Sequence, residues 1–181
     1  MKQQNWKSWG IRLAALLLVI GLSYFIYRIR DRAEEYAAYG YPGIFLIALM
    51  SNATVLLPAP GLAVVFTMGS IFHPWAVALA AASGGTLGEL SGYLAGFSGQ
   101  AVIENVALYR RIQPWVQRYG GWAILVLAAI PNPFFDVVGI AAGILRMPIQ
   151  NFLLFCWFGQ LIKMSLFAYA GAFSLPWVFG Q

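Results

Sequence analysis

The sequence predicts an all-α integral membrane protein, a helical bundle with two opposed re-entrant helical hairpins in an inverted repeat. Three observations carry that expectation. Of the 181 residues, 61% are hydrophobic and 9% charged, whereas a soluble domain uses roughly 25% charged residues to cover its surface. Apolar runs are broken at Pro58-Ala59-Pro60 and at Pro131-Asn132-Pro133, and the backbone groups freed by such breaks are tolerated at membrane depth only inside protein or beside a wet cavity. The breaks also recur in matching surroundings: Tyr39-Gly40 parallels Tyr119-Gly120, and Gly69 with Pro74 parallels Gly143 with Pro148. No polar linker divides the chain, so residues 1–181 are expected to form one membrane domain.

Residues 1–39 open with Lys2, Lys7 and Arg12 before the apolar run Leu13 to Tyr27. Arg28, Arg30, Asp31 and Arg32 follow at once, leaving no small-residue cleavage site, so the run reads as an uncleaved first helix. It is short against the roughly 20 residues that span a bilayer, and Tyr24, Tyr27 and the arginines are its anchors. Asp31 to Tyr39 reads as a short amphipathic helix stopped by Gly40 and Pro42.

Residues 40–74 form the first expected hairpin. Its arms are Gly43 to Leu57 and Leu62 to Phe72, hinged at Pro58 and Pro60 and ended by His73-Pro74. Residues 75–103 form a crossing helix in which Gly84, Gly88, Gly92 and Gly96 recur every four positions, a spacing that lets another helix approach closely. Residues 104–120, with Arg110, Arg111, Pro114, Trp115 and Arg118, read as an interfacial amphipathic segment. Residues 121–148 repeat the hairpin, hinged at Pro131 and Pro133 and ended by Arg146-Met147-Pro148. The last membrane helix runs from about Ile149 to Tyr169, and a tail containing Pro176-Trp177 completes 149–181.

Orientation follows from charge. With the N-terminus cytoplasmic, Lys2, Lys7, Arg12, Arg110, Arg111, Arg118 and Arg146 lie inside, while Arg28, Arg30 and Arg32 lie outside. Seven against three favours this arrangement. A multi-pass protein of a prokaryotic inner membrane is expected, its hairpins entering from opposite faces and meeting near the midplane, where transporters of this architecture hold their substrates.

Three charges fall inside apolar stretches: Glu89 in the crossing helix, Asp136 just past the second break and Lys163 in the last helix. Each costs roughly 2.5 to 3.5 kcal/mol unpaired at the bilayer centre. They are therefore paired, protonated or hydrated, and read either as a structural ion pair or as the lining of a polar path for an ion or lipid headgroup. Asn52, with Ser51 and Thr54 near the first break, can satisfy freed backbone groups. Asn132, held between two prolines, is a candidate for direct ligand contact, and Arg146 joins the transport residues.

Other chemistries are excluded by what the chain lacks. Cys156 is the single cysteine and His73 the single histidine, too few for a disulfide or a metal centre. Gly96-Phe97-Ser98-Gly99 matches an intramembrane serine-protease pattern, but the histidine lies upstream of it, so no catalysis and no cofactor are expected. The net charge of +5 sits beside apolar runs and points to lipid headgroups rather than nucleic acid.

Gly85-Thr86-Leu87-Gly88-Glu89-Leu90 with Tyr93, Ile130-Pro131-Asn132-Pro133-Phe134-Phe135-Asp136 with Gly139-Ile140 and Gly143, and Gly159 through Lys163 together resemble the DedA superfamily, the VTT-domain proteins. Within it the motifs look most like those of eukaryotic vacuole membrane proteins. The resemblance covers roughly residues 40 to 165 and implies two facing re-entrant hairpins and lipid translocation, with Glu89, Pro131, Asn132, Pro133, Asp136 and Lys163 as the positions that matter. It departs from bacterial members by having Asn52 and Leu62 where acidic residues are usual, and Ala129 and Phe134 where arginines are usual. The expected function is a phospholipid scramblase or flippase, with a proton- or sodium-coupled carrier of a small solute as the alternative. Membrane lipids are the expected partners, and the glycine stripe also permits a homo-oligomer.

Overall fold

The structure, a computed structural model, describes residues 37–53, 61–98, 106–131 and 135–179, all of its regular elements being α-helices. The expected first membrane helix and the break residues Pro58, Pro60, Asn132 and Pro133 lie outside the described residues. In chain order the helices are α1 (Ala37–Ala53), α2 (Gly61–Gly69), α3 (Pro74–Gly88), α4 (Leu90–Phe97), α5 (Val106–Tyr119), α6 (Gly121–Ala129), α7 (Phe135–Ile144) and α8 (Ile149–Phe179).

Three boundaries differ from the sequence expectation, and so does one glycine's conformation. Helix α1 runs through Gly40 and Pro42 instead of starting after them. Pro42 lies inside the helix, where its ring removes one i→i−4 hydrogen bond, and the bare Cα of Gly40 seats the Phe72 ring. The crossing helix is two pieces, α3 and α4, joined at Glu89. Glycines at 84, 85, 88 and 92 weaken helix propensity there, yet Glu89 keeps helical dihedrals (φ −63°, ψ −16°). Hydrogen bonds from Glu89 N to Gly85 O (3.0 Å) and from Tyr93 N to Glu89 O (3.2 Å) carry the chain across the joint. The last helix continues past Pro176 to Phe179, because a proline this close to a C-terminus removes one bond of the last turns. Finally, Gly120 starts α6 with φ 54° and ψ −127°, a conformation that favours glycine, whereas Gly40 is helical.

Helix α8 is the spine. Its segment Ile149–Ser174, 26 residues, is long and apolar enough to cross a membrane, reaching about 39 Å at 1.5 Å per residue. One face is buried against protein. The other exposes Leu154, Phe158, Ile162, Leu166 and Phe173 at helical spacing, an apolar stripe that suits lipid and not water. Helix α5 is amphipathic, burying Ile112 and Val116 while Arg110, Arg111 and Arg118 face outward.

Neighbouring helices pack in a reciprocal pattern. Helix α1 lies on α3 and α6 on α8, α2 lies on α8 and α7 on α4, and α3 crosses α8. Lipid tails are as apolar as leucine, so the contacts gain mainly from close van der Waals approach, which small residues allow. Gly84 and Gly88 bring α3 against the carbonyls of Phe45 and Leu49. Gly69 and Gly171 join α2 to α8 at Ala168 and Phe66, and Gly143 and Gly96 join α7 to α4 at Tyr93 and Ile140. The apolar core has two parts. One gathers Tyr93, Ile124, Val138, Phe152 and Cys156; the other gathers Ile44, Val65, Val77, Leu161 and Met164.

Candidate functional site

Where the two cores meet on α8, the chain carries polar residues. Thr86, Glu89, Gln160 and Lys163 are 4%, 2%, 0% and 7% exposed. Two helices supply all four. Thr86 and Glu89 are one turn apart at the end of α3, and Gln160 and Lys163 are one turn apart in the middle of α8, so each pair shares one face of its helix. Because α3 packs on α8, the two polar faces form a single buried band.

Asn52 joins the band from α1. Its Nδ2 donates to Ala48 O at 2.8 Å, and it meets Gln160 over Gly85: a methyl on that glycine would lie 3.2 Å from Asn52 Nδ2 and 3.6 Å from Gln160 Cδ. Glu89 faces α7, where a methyl on Gly139 would lie 3.8 Å from Glu89 Oε2. Cys156, fully buried one turn before Gln160, lies beside Thr86 and within electrostatic reach of Glu89 and Lys163. Ties between helices flank the band. Trp157 Nε1 donates to Ser83 Oγ at 3.1 Å, Ser91 Oγ to Ala53 O at 3.1 Å, and Tyr93 Oη to Met147 O at 2.6 Å.

Satisfaction within the band is uneven. Glu89 and Lys163 are both engaged in polar or electrostatic contacts. The Thr86 hydroxyl and both amide atoms of Gln160 are buried without a hydrogen-bond partner. An unpaired buried polar group costs about 1 to 3 kcal/mol, so these two side chains are retained at a price to the fold.

The other expected positions fall elsewhere. Arg146 is exposed in the turn between α7 and α8, and α8 rises about 10 Å from its first residue, Ile149, to Cys156. It adopts φ 51° and closes α7, with Arg146 N bonded to Gly143 O at 2.9 Å and Met147 N to Ala142 O at 3.0 Å. Its guanidinium lies 6.0 Å from the Phe97 ring centroid. With Gln117, Gly120 and Asn151 it borders an open cavity of about 410 Å³. Asp136 is in the first turn of α7, three residues before Gly139, its side chain outside the described residues. Pro131 is exposed just after α6. Gly92 is buried, and Gly84, Gly88 and Gly96 make the contacts described above. Among the described residues no three His, Cys, Asp or Glu side chains converge as a metal site would require.

Sequence reasoning placed Thr86, Gln160 and Gly139 in the family motifs but gave them no part in the site. A signal was present: the offset of 74 residues that carries Gly69 to Gly143 and Pro74 to Pro148 also carries Thr86 to Gln160 and Glu89 to Lys163.

A family model for the VTT domain matches residues 59–173. The chain belongs to the VTT-domain family. This is the DedA and SNARE-associated Golgi protein family, a membrane-associated one, and the VTT match with the apolar α8 makes the chain a membrane protein. No curated protein and no solved structure matches the chain. The VTT match takes in α2 to α7, α8 as far as Phe173, and every member of the polar band except Asn52, which α1 adds from outside it.

Proposed function

We propose that this VTT-family protein is a multi-pass lipid scramblase or flippase of a prokaryotic inner membrane, its N-terminus cytoplasmic. A headgroup would cross along the buried band while its tails stay in lipid. The observation that carries the reading is the band itself: two opposite charges, two amides and a hydroxyl sealed between two apolar cores, in a molecule whose outer faces suit lipid. A fold under stability pressure alone replaces such groups with apolar ones at little cost.

We read the helices as two re-entrant hairpins in an inverted repeat. Helices of 9 and 10 residues (α2, α6 and α7) reach only about 14 or 15 Å, half of a hydrocarbon core. The reciprocal packing and the common offset of 74 residues support a two-fold relation between the halves, with α3 and α8 at its axis. Transporters built this way place their sites at that axis.

One observation favours a carrier of a small solute coupled to protons or sodium: the band is closed to the outside in this conformation, which suits a small cargo. Reconstitution separates the two. In liposomes carrying acyl-chain-labelled fluorescent phospholipid in both leaflets, reduction of the outer dye is expected to proceed well beyond half of the signal. Glu89→Gln is expected to slow this about ten-fold or more at unchanged folded yield. Bleaching that stops at half, together with a solute flux that depends on Glu89, replaces the lipid reading with the carrier.

A further inference from the structure

The unsatisfied atoms of the band have a chemistry of their own. Gln160 presents a carbonyl oxygen and an amide N–H pair, and Thr86 presents a hydroxyl oxygen, all without a partner. The two residues come from different helices, α8 and α3, and Asn52 of α1 borders them at Gly85. Unpaired acceptors need a donor on the ligand, and the amide N–H needs an acceptor. A phosphodiester that ends in a primary ammonium or a hydroxyl supplies both: its N–H or O–H groups bond Gln160 Oε1 and Thr86 Oγ1, and a phosphate oxygen accepts from Gln160 Nε2. A trimethylammonium supplies no donor.

The seam over Gly85 is closely packed, with Asn52 Nδ2 and Gln160 Cδ standing 3.2 and 3.6 Å from where a methyl would sit, so a headgroup reaches these atoms only as the helices part.

Resting on the lipid-transport reading, we propose that Gln160 and Thr86, with Asn52 as a wall, form a selectivity subsite for lipid headgroups ending in an N–H or O–H donor and against fully methylated ones. Sites built to hydrogen-bond a donor discriminate strongly against analogues without it, because the site's own polar groups are then left unpaired.

The test compares acyl-chain-labelled phosphatidylethanolamine and phosphatidylglycerol with phosphatidylcholine of the same tails, in liposomes holding wild type, Gln160→Leu or Thr86→Val. Wild type is expected to move the donor-bearing lipids at least about ten-fold faster than phosphatidylcholine, the effect of about one hydrogen-bonded group. Both variants are expected to bring that ratio near one without lowering the melting temperature, since each removes unpaired polar atoms. A wild-type ratio near one, or a ratio unchanged in both variants, overturns the subsite.

A second readout needs no transport. Glycerophosphoethanolamine is expected to raise the melting temperature of detergent-purified wild type but not of Gln160→Leu, and glycerophosphocholine to raise neither. If no lipid moves yet this shift appears, the subsite stands and the transport reading falls; absence of the shift overturns the subsite. Ethanolamine alone giving the same shift would assign the subsite to a free amine and overturn the lipid assignment.

Discussion

Arg146 is a residue whose backbone and side chain pull in different directions. At φ 51° it occupies the left-handed position that glycine takes in most helix ends of this kind, and a side chain there costs about 1 kcal/mol or more. The guanidinium against Phe97 returns part of that cost. Arg146→Ala loses the ring contact and keeps the strain, while Arg146→Gly loses both. Glycine is therefore expected to be the more stable variant by about 1 kcal/mol, read as a melting temperature several degrees higher in detergent. None of this is legible in the sequence, because nothing local marks a non-glycine residue for a left-handed turn. Glu89 and Lys163, by contrast, announce themselves as charges within apolar runs. Thr86 and Gln160 do not, since a hydroxyl or amide in a helix has an ordinary reading until its neighbours are known.

At the scale of elements, the proline breaks and the repeated Gly-Pro ends are legible because proline and glycine act on the backbone directly. The glycine stripe is legible only in part. Four-residue spacing on a helix advancing 100° per residue drifts by 40° a step, so Gly84 and Gly96 point about 120° apart. That rotation lets one stripe serve two partners: Gly84 and Gly88 face α1, while Gly96 faces α7. The same geometry gives a contrast in tolerance. A methyl at Gly143 collides with the Tyr93 carbonyl of α4, whereas one at Gly43 meets nothing within 4 Å. Gly143→Ala is expected to destabilise by about 1 to 3 kcal/mol, and Gly43→Ala to stabilise by about 0.5 to 1 kcal/mol. Thermal unfolding of the two variants beside wild type checks both signs.

For the whole molecule, composition alone reveals a membrane protein, and the apolar outer stripe of α8 shows why so few charges suffice. What composition does not reveal is that the core is divided. Helix α8 gives Phe152 and Cys156 to one part and Leu161, Met164 and Ala168 to the other, with Gln160 and Lys163 among them. Such a division arises from long-range packing of α3 on α8, which no local pattern encodes.

The single thiol of the chain stands at this seam, wholly covered. It is thereby a built-in timer for any parting of the halves: a membrane-permeant maleimide meets Cys156 only while α3 and α8 are separated. Alkylation is expected to be slow at rest and several-fold faster during lipid exchange, and mass spectrometry of the intact chain reads the difference with no engineered label. Equal rates in both conditions would mean that whatever crosses the bilayer does so without that gap ever widening.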